Sequence, residues 1–151
     1  MSEFSYAVFV DEPPQESFDK WPQHVTIFEW FEAGKKDIEE VGEVVASKVR
    51  PFEIQVGAND PNYSRSRNAR LIKPSVELNV LHHSLYAHLE VANVAVWALR
   101  GVESRFDPHL TGRRAPKREI PKKIEVTHFE LVKRSTDGSK RATRSYKLRA
   151  K

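Results

Sequence analysis

Residues 21–30 read WPQHVTIFEW and residues 105–118 read RFDPHLTGRRAPKR. Each holds a histidine and a threonine two apart with an aliphatic residue between them: His24-Val25-Thr26 and His109-Leu110-Thr111. In a β-strand residues i and i+2 point to one face and i+1 to the other. His24 and Thr26 therefore project together while Val25 and Ile27 turn away, and His109 and Thr111 do the same with Leu110 turned away. That is the pattern of a strand buried on one face and polar on the other. Two such strands side by side aim two imidazoles and two hydroxyls at one groove.

The segments around the motifs place them in a mixed fold. Residues 4–10 (FSYAVFV) read as a strand, and 11–23, with three prolines, as a loop. Residues 24–31 read as a strand rich in β-branched and aromatic side chains. In 35–50, Ile38, Val41, Val45 and Val49 recur at helical spacing, and Pro51 ends the helix. Residues 52–57 alternate as a strand, 58–70 form a polar basic loop, and 75–80 (SVELNV) read as a strand. Residues 81–99 align Leu81, Leu85, Leu89, Ala92, Val96 and Leu99 along one side of a second helix. A strand around 105–111 precedes the basic loop GRRAPKREIPKK; 123–133 and 141–149 form a hairpin turning at 135–139 (STDGS). The order is β, β, α, β, β, α, β, β, β, which suggests two lobes, each a small sheet backed by a helix. The motif histidines are 85 residues apart, so this is no short tandem repeat.

At 151 residues the chain fits a single domain, 1–151, with an adequate core. No apolar run approaches the roughly 18–20 residues that span a bilayer. The N-terminal residues carry no positive n-region or small-residue cleavage site, so no signal peptide is expected. The absence of cysteine excludes disulfides, thiolate nucleophiles and cysteine metal sites, and fits a reducing, cytoplasmic setting. The net charge of +4 is unevenly spread. Residues 1–50 have 5 Lys/Arg against 11 Asp/Glu, residues 51–100 have 5 against 4, and residues 101–151 have 15 against 6. A basic C-terminal third suits a phosphate-bearing partner.

The motif chemistry agrees with that partner. Hydroxyls donate to phosphate oxygens. Two imidazoles, with an ordinary pKa near 6.5, supply one neutral base and one protonated acid near neutral pH. One histidine then activates an attacking hydroxyl or water, the other protonates the leaving oxygen, and the scheme calls for no metal or other cofactor. Arg113 and Arg114 directly follow the second motif and are candidates to neutralise a phosphate. Arg65, Arg67, Arg70 and Lys73 lie near Tyr63, a grouping that can grip single-stranded RNA. Trp21, Phe28, Trp30 and Tyr146 are candidates to stack on a base, with Phe28 first because alternation puts it on the His24 face. His82, His83 and His88 lack the i, i+4 spacing of a helical metal pair, and His128 reads as structural. No Gly-x-Ser-x-Gly, P-loop or Gly-x-Gly-x-x-Gly occurs, which leaves serine-hydrolase and nucleoside-triphosphate readings without support.

HVTIF (24–28) and PHLTG (108–112), with the closing IEVTHFELVKR and RSYKL, resemble the paired His-x-Thr/Ser motifs and terminal hairpin of the 2H phosphoesterase superfamily, the 2′–5′ RNA ligase-like or LigT-like proteins. The resemblance spans nearly the whole chain. It implies an α+β, bilobal, pseudo-twofold fold: two small, mainly antiparallel sheets forming a central cleft, with helices outside. It implies His24 and His109 as the acid/base pair and Thr26 and Thr111 as phosphate ligands. It also implies a metal-independent enzyme, expected to be monomeric, acting on 2′,3′-cyclic phosphates or 2′–5′ linkages of RNA or nucleotides. A phosphodiesterase degrading cyclic or 2′–5′ oligonucleotide defence signals, and a non-catalytic RNA- or nucleotide-binding module, are the alternatives. Gly112 stands where the family usually has an apolar strand residue, which ends or bends the strand early.

Overall fold

A computed structural model describes residues 2–59, 69–92, 94, 106–111 and 120–151. The chain forms β1 (Ser2–Phe9), β2 (His24–Ala33), α1 (Lys35–Lys48), β3 (Phe52–Asn59), β4 (Arg70–Ile72), α2 (Val76–Val91), β5 (His109–Thr111), β6 (Lys123–Val126), β7 (His128–Arg134) and β8 (Lys140–Lys147). The strands join in the order β6-β3-β4-β5-β2-β1-β7-β8, and every pairing among the described residues is antiparallel. Among the described residues four strands belong to each lobe, and the lobes meet where β2 pairs with β5. The two motif strands are thus the innermost strands of the two halves.

One face of this sheet is apolar and packs against the helices. Phe4, Tyr6 and Val8 of β1, Val25 and Ile27 of β2, Leu110 of β5, and Phe129 and Leu131 of β7 form one core with residues of α1 and α2. Ile38, Val41, Val45 and Val49 are all buried, as their spacing requires, and so are Leu81, Leu85 and Leu89. Each fully buried side chain of this size contributes about 1.5–3 kcal/mol through removal from water. Tyr146 sits under α1, where Gly42 leaves the room: a Cβ there would lie 2.3 Å from the Tyr146 Cζ. Among the described residues no helix is long and apolar enough to cross a membrane.

Three elements differ from the sequence reading. Residues 75–80 begin α2 instead of forming a strand. Ser75 caps the helix, its hydroxyl accepting from the Leu78 N–H at 3.1 Å. The Val76/Leu78/Val80 alternation misleads because Val76 and Val80 face solvent while Leu78 joins the Leu81/Leu85/Leu89 side. The strand that precedes α2 is the short β4, at the end of the supposed loop. Residues 123–133 divide at Thr127, because β6 pairs with β3 in one lobe and β7 with β1 and β8 in the other. The hairpin turn at 135–139 forms as expected, with Gly138 at φ 89°. α2 ends at Val91, and Val96 and Leu99 lie outside the described residues.

Candidate active site

The polar face of β2 and β5 lies opposite the helices. In the β2–β5 ladder His24 pairs with Thr111 and Val25 with Leu110. The same register carried one step further sets Thr26 across from His109. The four side chains then occupy a patch about 5 Å across the strands and about 7 Å along them. That footprint suits one phosphate group with its ester oxygens.

His24 is 5 % exposed and tightly held. Its Nδ1 donates to the Pro22 carbonyl at 2.9 Å, so the neutral ring carries its lone pair on Nε2. That atom lies 3.5 Å from the Thr111 hydroxyl. The Trp21 indole stacks on the imidazole with centroids 3.9 Å apart and planes 20° apart. Behind it stand Phe9, Phe18 and Trp30, a small second core on this face of the sheet. Burial among these rings pushes the His24 pKa from 6.5 down to about 4; the Lys140 charge pushes the same way, and the Pro22 carbonyl opposes. Lys140 also fixes the loop that carries Trp21, through backbone bonds between Phe18 and Lys140 and a 2.7 Å bond from its Nζ to the Asp19 carbonyl.

His109 is built differently. Its Nε2 lies 3.8 Å from an Asp107 carboxylate oxygen, an ion pair whenever the ring is protonated. The ring is 14 % exposed and Asp107 largely so. Thr26 and Thr111 are half-buried. One imidazole presents an unprotonated nitrogen in a dry aromatic pocket, and the other faces a carboxylate at the solvent edge. Each strand also contributes a threonine to this face.

The remaining candidates separate. Phe28 does not face the cleft. Tyr6 pairs with Phe28 and Ala7 with Thr26, so Ile27 is an extra residue on β2 and alternation reverses there. Phe28 is 1 % exposed, within the helix-side core, and stacks on His82. Tyr146 is likewise core. Trp21 and Trp30 do lie on the cleft face, with Arg134 over the Trp30 ring at 4.3 Å. Arg70 pairs with Leu110 and so shares the face opposite His109; Lys73 is exposed. Arg113, Arg114, Tyr63, Arg65 and Arg67 lie outside the described residues. His88 Nδ1 donates to the Ser84 carbonyl, and His128 Nε2 lies 3.5 Å from Glu130, whose carboxyl is pushed up by burial. Asp107 was missed by sequence reasoning, although it stands two residues before His109, where the i, i+2 rule would have found it. The Trp21 stack and the Pro22 acceptor depend on the path of a loop and carry no sequence signal.

No protein-family profile and no curated protein matches the chain. Among solved structures, TT0787 of Thermus thermophilus aligns over 99 % of both chains with a TM-score of 0.67 at 22 % identity. E. coli LigT crystallised with 3′-AMP aligns over 98 % of both chains with a TM-score of 0.63 at 16 % identity. A structure described as a phosphoesterase aligns over 98 % of both with a TM-score of 0.62 at 15 % identity. The chain has the LigT-like fold expected from its paired motifs, from one end to the other.

Proposed function

We propose that this protein is a metal-independent phosphoesterase that opens 2′,3′-cyclic phosphates or cleaves 2′–5′ phosphodiester bonds of RNA or nucleotides. The observation that carries the reading is the β2–β5 register, which sets His24 against Thr111 and brings both His-x-Thr motifs into one cleft. The fold neighbour LigT has been crystallised with 3′-AMP, ATP, NADP+ and phosphate, which supports a nucleotide phosphate as the group bound here.

The phosphate sits between Thr26 and Thr111, whose hydroxyls donate to its non-bridging oxygens. His24 is the base. Its Nδ1–H is committed to Pro22, leaving Nε2 to take the proton of a water attacking phosphorus. The bound phosphate anion adds negative charge beside the ring and strengthens this weak base as substrate arrives. His109, paired with Asp107 when protonated, gives its proton to the departing ribose oxygen. One P–O bond forms and one breaks; the two histidines exchange protonation states and reset through solvent. Acid–base assistance of this type contributes about 10²–10⁴-fold.

The test is the pH dependence of kcat/KM on a 2′,3′-cyclic nucleotide for the wild type and for His24→Ala and His109→Ala. A bell for the wild type and a loss of at least about 100-fold in each folded variant are expected. A rate that climbs steadily from pH 5 to 9, or full activity in either variant, overturns the assignment. RNA binding that survives both substitutions, with no product formed, would identify a binding module instead.

A further inference from the structure

His82 is a polar ring at a position with 0 % exposure, stacked against the core residue Phe28. Leu78, Leu81, Leu85 and Leu89 surround it on α2, so packing alone asks for an apolar residue there. Its contacts explain the exception. Its Nδ1 donates to the Ile27 carbonyl at 2.8 Å. Ile27 is a bulged residue of β2, left out between the Tyr6–Phe28 and Ala7–Thr26 pairs at one of two register shifts against β1, directly after His24-Val25-Thr26. A bulge interrupts the ladder, and a buried carbonyl there needs a donor from elsewhere. The opposite consequence follows if the bulge relaxes: a one-residue slip turns a strand's side chains to the other face. The His82 ring also lies flat on Phe106, with centroids 4.0 Å apart and planes 0° apart. Phe106 stands three residues ahead of His109, on the approach to β5. One side chain of α2 thus touches β2 just past its His-x-Thr motif, by a hydrogen bond, and the segment leading into β5, by a ring stack.

We propose that His82 is a positioning residue that holds the two His-x-Thr strands in their working register, through its bond to the Ile27 carbonyl and its stack on Phe106. The proposal rests on the phosphoesterase reading of the cleft. His82 touches no substrate and moves no proton; it acts through the placement of Thr26 and His24 on one strand and His109 on the other. Misplacement on the 1 Å scale costs about 100-fold in rate.

Two substitutions separate positioning from general support. His82→Phe keeps the ring and its stack but has no donor for the Ile27 carbonyl. His82→Asn keeps a donor at the Nδ1 position but leaves a void against Phe106 and Phe28. A positioning role predicts crossed orders: Phe the more stable variant and the less active, with kcat down about 100-fold and KM within about threefold; Asn the less stable and the more active below its melting temperature. If kcat in both variants simply follows the folded fraction, the proposal is overturned. Amide NMR spectra read strand placement without turnover. His82→Phe, which loses the bond to Ile27, must displace the Thr26 amide, and His82→Asn, which loses the stack on Phe106, must displace the Thr111 amide. If the wild type turns over no phosphodiester, the phosphoesterase reading fails by itself, and His82 is judged on those amides, with an unmoved Thr26 in His82→Phe or an unmoved Thr111 in His82→Asn refuting the positioning role.

Discussion

Removing the Trp21 ring should return His24 toward ordinary histidine behaviour. The indole covers one face of the imidazole at 3.9 Å, and burial is the largest cause of the depressed pKa. The gap between 6.5 and about 4 corresponds to about 3 kcal/mol between the protonation states. The sign follows from proton counting. Between pH 6.5 and about 4 the unfolded chain binds a proton at His24 and the folded protein does not, so stability falls as pH drops through that window. Above it the His24 contribution is fully present, and below it no further loss comes from this group. Trp21→Ala admits water to the ring, so the midpoint should climb toward 6.5 and the acid-side loss should shrink. The same substitution costs packing against Phe9, Phe18 and Trp30, about 2–3 kcal/mol at pH 8 for a half-buried tryptophan. The assay is an NMR titration of the His24 ring from pH 3 to 8, with urea unfolding at pH 8 and pH 5. A midpoint that stays near 4 in Trp21→Ala would refute the argument that the aromatic wall sets the state of the base.

Other perturbations act on separate parts of the structure. Lys140→Gln removes a charge that pushes His24 down, so the same titration should read a higher midpoint than the wild type. Thr111→Val deletes a hydroxyl placed for a phosphate oxygen, and kcat/KM should fall about 10–100-fold, the worth of a hydrogen bond to a charged group; steady-state kinetics with unchanged circular dichroism checks it. Gly42→Ala drives a methyl group to 2.3 Å from the Tyr146 ring, and calorimetry should record a melting temperature lower by roughly 3–10 °C.

The cleft could be read from the sequence because strand alternation is a local rule. Knowing that His24 and Thr26 share a face requires only that residues 24–26 be extended, and the same holds for His109 and Thr111. The pairing of β2 with β5 is long-range, and it came from family resemblance. The rule failed where local geometry departs from regularity. Strict alternation carried Phe28 into the cleft, and the bulge at Ile27 turned it into the core. Residues 75–80 alternate convincingly within six positions, and only the Ser75 cap and the leucines that follow show a helix. His82 looked ordinary on its helix because its partner, the Ile27 carbonyl, is 55 residues away, on the bulged segment of β2. Trp21 was visible as an aromatic near the motif. Its stack on His24 depends on how the proline-containing loop returns to β2, which no periodicity encodes.

The most direct measurement is turnover in excess EDTA, followed by chromatography. The substrates are 2′,3′-cyclic nucleotides, 2′–5′ and 3′–5′ dinucleotides and cyclic oligonucleotides, tested with the wild type and with the His24→Ala/His109→Ala double variant. The account predicts that the wild type cleaves at least one 2′,3′-cyclic or 2′–5′ substrate with EDTA present and that the double variant cleaves none. Cleavage abolished by EDTA, cleavage by the double variant, or no cleavage of any substrate would contradict it.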